Sequence, residues 1–116
     1  MMCFAMGMCR RVAANRVLLA GRKEILSNYV LEIDAQGHVV DGYPLAEELS
    51  RTEWFSGLIV VSPNLPVREN EETFTSFYER LSAIPFSENA SCSVYAVSDF
   101  DVSRMEFTGK SRIFRV

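Results

Sequence analysis

Histidine is nearly missing from this chain: His38 is the one example in 116 residues. A catalytic zinc centre commonly draws two or three histidines around an open position, and a single histidine cannot supply that set. His38 could in principle join Cys92 and nearby carboxylates, but no ligand spacing supports the grouping. Cysteine is scarce as well. Cys3, Cys9 and Cys92 make no C-x-x-C pair and no metal-ligand cluster, and such thiols point to a reducing, cytoplasmic setting. The six glycines are dispersed and form neither a P-loop nor a G-x-G-x-x-G turn, which removes the usual phosphate cradles. No serine stands in a G-x-S-x-G elbow, so a triad built on His38 and Asp41 has no support in the pattern.

Strong positive charge is also lacking. The formal net charge is −3, and the closest basic groupings are Arg10–Arg11 and Lys110–Arg112. Nucleic-acid-binding domains are usually basic on one face, so a nucleic-acid partner is not expected. Long apolar runs are absent too. Met1–Met8 is apolar, but it falls far short of the ~20 residues needed to cross a bilayer. Arginines follow it where a secretory signal would have them first. The stretch 1–10 reads as a disordered leader, with Met6 and Met8 as alternative starts, and 11–116 as one β-rich domain.

What is present is mostly strand pattern. Residues 11–19 predict a first strand, and 20–23 a polar turn. Tyr29 to Ile33 alternates, and Asp34-Ala35-Gln36-Gly37 before His38-Val39-Val40 is the turn chemistry of a β-hairpin. Residues 44–49 predict a single helical turn. Trp54-Phe55 and Leu58 to Val61 flank Gly57 in a buried strand that bends at the glycine. Pro63 and Pro66 end it. One helix is expected, with Asn70 as N-cap, Glu71 and Glu72 in its first turn, and Pro85 as its stop. Phe74, Phe77, Tyr78, Leu81 and Ile84 form its apolar stripe. Ser93 to Val97 is a strand, Asp99-Phe100-Asp101 a turn, 105–107 a short strand and 112–116 a terminal one. About seven strands and one amphipathic helix predict a mainly β, sandwich-like domain of two layers, with α+β as the alternative, and the helix packed on the sheet.

Asp99-Phe100-Asp101 opens like a calcium loop but lacks the glycine and the distal glutamate. Glu47–Glu48 and Glu71–Glu72 are neighbours whose side chains diverge, which suits them poorly to paired acid–base work. The remaining candidate is a ligand pocket lined by Trp54, Phe55, Tyr78 and Tyr95, with Asp41 or Glu53 as polar handles. Against it, Trp54 reads more simply as core packing.

Three segments carry a resemblance. Arg11-Val-Ala-Ala-Asn-Arg-Val-Leu-Leu19, then Asn28 to Asp34 with Gly37-His38-Val39-Val40, then Gly57-Leu58-Ile59, occur in an order similar to the opening strands of metal-dependent amidohydrolases. The tail from Ser98 through Arg115 is similar to the strands that follow their barrel. In that family the two ends meet in a small β-sandwich beside the catalytic barrel. After Gly-Leu-Ile the family continues with an acidic residue and an H-x-H pair. Here Val60-Val61-Ser62-Pro63 follows instead. The resemblance therefore implies the sandwich without the enzyme, with no catalytic, cofactor or metal residue to carry over and with the helix standing where the barrel would be.

A non-catalytic domain that acts through self-assembly, as a homo-oligomer, or through partner binding is the leading expectation. A β domain without its barrel has sheet edge and apolar area to cover. A small-molecule binding or catalytic module around Trp54 is the alternative. A degenerate fragment without selected activity would read the same way.

Overall fold

The computed structural model describes residues 10–22, 24–45, 52–84 and 92–116. Their elements are β1 (Arg10–Leu19), β2 (Ile25–Ile33), β3 (Val39–Pro44), β4 (Thr52–Ser62), α1 (Phe74–Ser82), β5 (Ser93–Asp101) and β6 (Glu106–Arg115). The proposed leader and most of the helical turn expected over 44–49 lie outside the described residues, as does Pro85. Pro44 itself ends β3.

All six strands belong to one mixed sheet in the order β3-β2-β1-β4-β5-β6. β1 runs parallel to β4, and the other pairs are antiparallel. The expectation of a mainly β fold with one helix laid on the sheet holds. The hairpin read from 29–40 is the β2–β3 hairpin. Its turn is fixed by Asp34, whose Oδ1 accepts the amides of Gln36 and His38, each at 2.9 Å. Gly37 supplies the positive φ that the turn requires.

The sheet buries both faces. Leu18, Leu58, Val60, Tyr95, Val97, Phe100 and Phe107 form one core with Phe74, Phe77 and Leu81 of α1. Phe107 meets Phe77 edge-on, with centroids 5.2 Å apart, and Phe100 at 5.6 Å. Such pairs add about 0.5–1.5 kcal/mol each beyond area burial. Val12, Ala14, Val17, Leu31, Ile33, Ile59, Val61 and Val94 form the second core on the opposite face. Sheet curvature encloses this face. The hairpin tip reaches the start of β5, where His38 bridges Ser93 and the Val39 amide donates to the Cys92 carbonyl at 2.9 Å. The Arg115 guanidinium also bonds the Gln36 carbonyl at 2.7 Å.

A crease runs across the strands. Asn28 (φ 48), Gly57 (φ 114) and Asp99 (φ 54) all have left-handed backbones. Asn28 lies opposite Asn15, between the pairs Ala14–Tyr29 and Arg16–Ser27. The β1–β4 register shifts between Ala14 and Arg16, and the β5–β6 register between Ser98 and Phe100. On β1 the second core accordingly takes Val12 and Ala14, then Val17, while Leu18 joins the first core.

Three expectations need correction. The helix starts at Phe74 with Thr73 as N-cap, not at Asn70, and no acid lies in its first turn. Glu72 is drawn into the preceding loop by Arg80, and Glu71 has φ 57, outside the helical region. A carboxylate does reach the helix start, but from β6: Glu106 Oε1 accepts the Phe74 amide at 2.6 Å, as the helix dipole favours. Second, Asp99-Phe100-Asp101 is the end of β5 and not a turn. The reversal comes at 102–105, where Asp101 Oδ1 accepts the Ser103 hydroxyl and the Arg104 amide. Third, the segments expected at 105–107 and 112–116 belong to the single strand β6, whose pairing with β5 lapses between Phe107 and Arg112, so the strands number six among the described residues.

Candidate functional site

The four aromatic residues expected to line a pocket do not converge. Trp54 and Phe55 are successive strand residues and point to opposite faces. Phe55 packs against the second core, whereas Trp54 is 45% exposed. The reading of Trp54 as core packing is thereby corrected. It sits at the β4 end of a row, Tyr43–Val30–Ala13–Trp54, set by the strand registers. Tyr95 is buried beneath the helix, and Tyr78 packs at the border of that same core. Tyr78 and Tyr95 therefore share one face, remote in chemistry from any polar handle. Asp41 is exposed and accepts the Gly42 amide, and Glu53 forms a surface ion pair with Arg10 at 2.6 Å.

The neighbouring row holds a small polar chain. The Tyr43 hydroxyl donates to Glu32 at 2.7 Å, and Arg11 Nε lies 3.5 Å from the same carboxylate. Burial and the bond to Glu32 push the Tyr43 phenol upward. Ala13 and Val30 beside it are fully buried, so this surface offers no open slot.

A cleft does lie elsewhere among the described residues. About 430 Å³ of space separates the loop 65–71 from β6, lined by Leu65, Pro66, Val67, Arg68, Glu69, Asn70 and Glu71 on one side and Phe107, Ser111 and Ile113 on the other. Pro63 and Pro66 keep this segment out of the sheet, because proline cannot donate to a ladder. A buried carboxylate then ties the loop to α1. Glu72 accepts Arg80 Nη2 at 2.7 Å, Arg80 Nε at 3.0 Å, the Glu69 amide at 3.0 Å and the Ser76 hydroxyl at 3.2 Å. Hydrogen bonding from Arg80 is the largest cause that holds the Glu72 carboxyl at about 2, against the opposing effect of burial. Arg80 also bonds the Val67 carbonyl at 2.6 Å. Arg68 is held between the Glu72 carbonyl and the Phe107 ring, its guanidinium 4.3 Å from the ring centroid.

This network saturates its own charges and leaves apolar tips outside. Leu65 is 57% exposed and Val67 61%. Beside them runs the outer edge of β6, which among the described residues pairs with β5 alone. Phe114, 44% exposed, stands on that strand. The sequence reading missed Leu65, Val67, Ile113 and Phe114. For Leu65 and Val67 the available signal was their place on either side of Pro66, in a segment that proline keeps off the ladder.

His38 serves the hairpin turn and the bridge to Ser93. Among the described residues no three of His, Cys, Asp and Glu gather as a metal site, and no helix is long and apolar enough to cross a membrane. No family model, curated protein or solved structure matches the chain.

Proposed function

We propose that this chain is a non-catalytic binding domain that works by contact with another polypeptide along the open edge of β6. The observation that carries this reading is a strand edge unpaired among the described residues, with exposed Leu65 and Val67 across the cleft from its Ile113 and exposed Phe114 on the strand's other face. Exposed apolar patches beside open sheet edges are characteristic of interaction surfaces. The likeness to the small sandwich of the metal-dependent amidohydrolases belongs to the same proposal. It is supported by the way both ends of the chain share one sheet, with β4 lying between β1 and β5. The helix α1 would then stand in place of the barrel.

The test is light scattering after size exclusion, together with binding of an apolar reporter dye, on the intact chain and on a Val67→Asp, Phe114→Asp variant. The intact chain should bind the dye or self-associate, and the variant should do neither while unfolding at a similar temperature. An intact chain that is monomeric and also dye-silent would sink the reading. A second reading, a small-molecule module, rests on the cleft volume, which lies in the range of ligand pockets. The cleft is open, however, and its one strongly held cation, Arg68, is already occupied by the Glu72 carbonyl and the Phe107 ring.

A further inference from the structure

We infer that the edge of β6 receives an extended, acidic segment of a different polypeptide, which adds to the sheet as a further strand. The inference rests on the edge reading above and specifies the occupant. Regular pairing of β6 with β5 runs from Arg112 to Arg115, and beyond it the register shifts before resuming at Phe107. Thr108 and Ser111 fold the intervening stretch onto itself, with both hydroxyls donating to the Asp99 carbonyl at 2.8 Å. The usable template is therefore short and well defined.

Its charge has one sign. From Phe107 to Val116 there is no acidic residue, whereas Lys110, Arg112 and Arg115 are basic. Arg115 bonds the Gln36 carbonyl. Lys110 and Arg112 are exposed and enter no ion pair among the described residues. Alternation along the strand sets Arg112 with Phe114 on one face, and Ile113 with Arg115 on the other. An added strand would cover Phe114 on one side and meet Leu65 and Val67 on the other. A carboxylate opposite Arg112 would make a favourable cross-strand pair, and Lys110 just beyond the paired stretch would add to the positive field it meets.

A second copy of this chain fits less well. A two-fold antiparallel pairing would lay Lys110, Arg112 and Arg115 alongside the same three cations of the second copy, with no acidic side chain on either strand from Phe107 to Val116. Like charges brought together across a ladder are destabilising.

The test is a backbone-amide NMR titration of the intact chain with two short synthetic peptides, one alternating glutamate and valine, the other lysine and valine. The glutamate peptide should shift the amides of 112–115 and bind about tenfold more tightly, as expected from a few exposed ion pairs acting together. Arg112→Glu, an exposed substitution, should abolish that difference. Equal binding of the two peptides at β6 would overturn the acidic occupant while leaving the edge reading intact. Shifts that spare β6, or no binding by either peptide, would overturn the inference and leave the edge itself without support. A dimer whose β6 amides broaden with concentration would assign the edge to a second copy and also overturn it.

Discussion

The side-chain carbonyl of Asn15 accepts the backbone amide of Gly57 at 2.9 Å, joining β1 to β4 where their register shifts. Gly57 is buried and held at φ 114, a conformation rarely open to other residues. Asn15→Ala should cost about 1–3 kcal/mol, because a buried amide loses its acceptor. Gly57→Ala should cost a similar ~1–3 kcal/mol through backbone strain. Space is not the obstacle, since an added Cβ would meet the nearest atom, Phe100 Cβ, at an ordinary 3.4 Å. Urea unfolding of the two single variants and the double variant should depart from additivity by more than about 0.5 kcal/mol, since the residues share one bond. Simple additivity would show that the crease does not act as a unit.

Stability should fall in acid through Glu72. Its carboxyl is depressed from 4.5 to about 2, chiefly by Arg80. A depressed folded-state value means that the stabilisation is fully present above pH 4.5 and is lost as pH drops toward 2. Glu72→Gln should lower the urea midpoint at neutral pH by an amount equivalent to about 1.5–3 kcal/mol, the scale of hydrogen bonds to charged groups. It should also flatten the acid limb. Some slope will persist, because the Asp34 and Asp101 carboxyls are lowered too, by the His38 amide and the Ser103 hydroxyl respectively. An unchanged acid limb in the variant would refute the assignment.

Trp54 and Phe77 should behave in opposite ways. Phe77 is fully buried under the helix, and Phe77→Ala should cost about 3–5 kcal/mol, enough to threaten folding of a small domain. Trp54→Ala should cost under about 1 kcal/mol, in line with a half-exposed surface residue. As the one tryptophan, Trp54 should fluoresce near the solvated end of its range and shift little in urea, whereas circular dichroism reports the whole transition. A large blue shift in the folded chain would place Trp54 in a buried site.

Cys92 should react slowly. Desolvation raises its thiol above the usual value, and the thiolate is the reactive form. In a Cys3→Ser, Cys9→Ser background, disulfide-exchange dyes should modify Cys92 far more slowly in the folded chain than in urea. Equal rates would show that the thiol is open.

Much of the fold was legible because local chemistry and long-range packing agree in it. The β2–β3 hairpin follows from alternation and from Asp34 and Gly37, all within the one stretch 29–40. The bend at Gly57 was legible for the same reason. The helix start was not, because its determinants are distant: Arg80 takes Glu72, and Glu106 arrives from β6. The Asp99 crease looked like a turn since aspartate tolerates left-handed backbone, yet pairing continues past it. For the site, alternation alone could have separated Trp54 from Phe55. The edge of β6 could not be read, because strand order is a property of the closed sheet and no local pattern encodes it.

The bridge from His38 to Ser93 has a consequence for valency. It occupies the start of β3, and Pro44, without an amide hydrogen, ends that strand. Little of the β3 edge is left to pair. A molecule with two open edges can polymerise, as a bifunctional monomer does. On the proposed reading of the β6 edge this one is effectively monofunctional: each copy would cap a strand from elsewhere once, and then the chain of additions would stop.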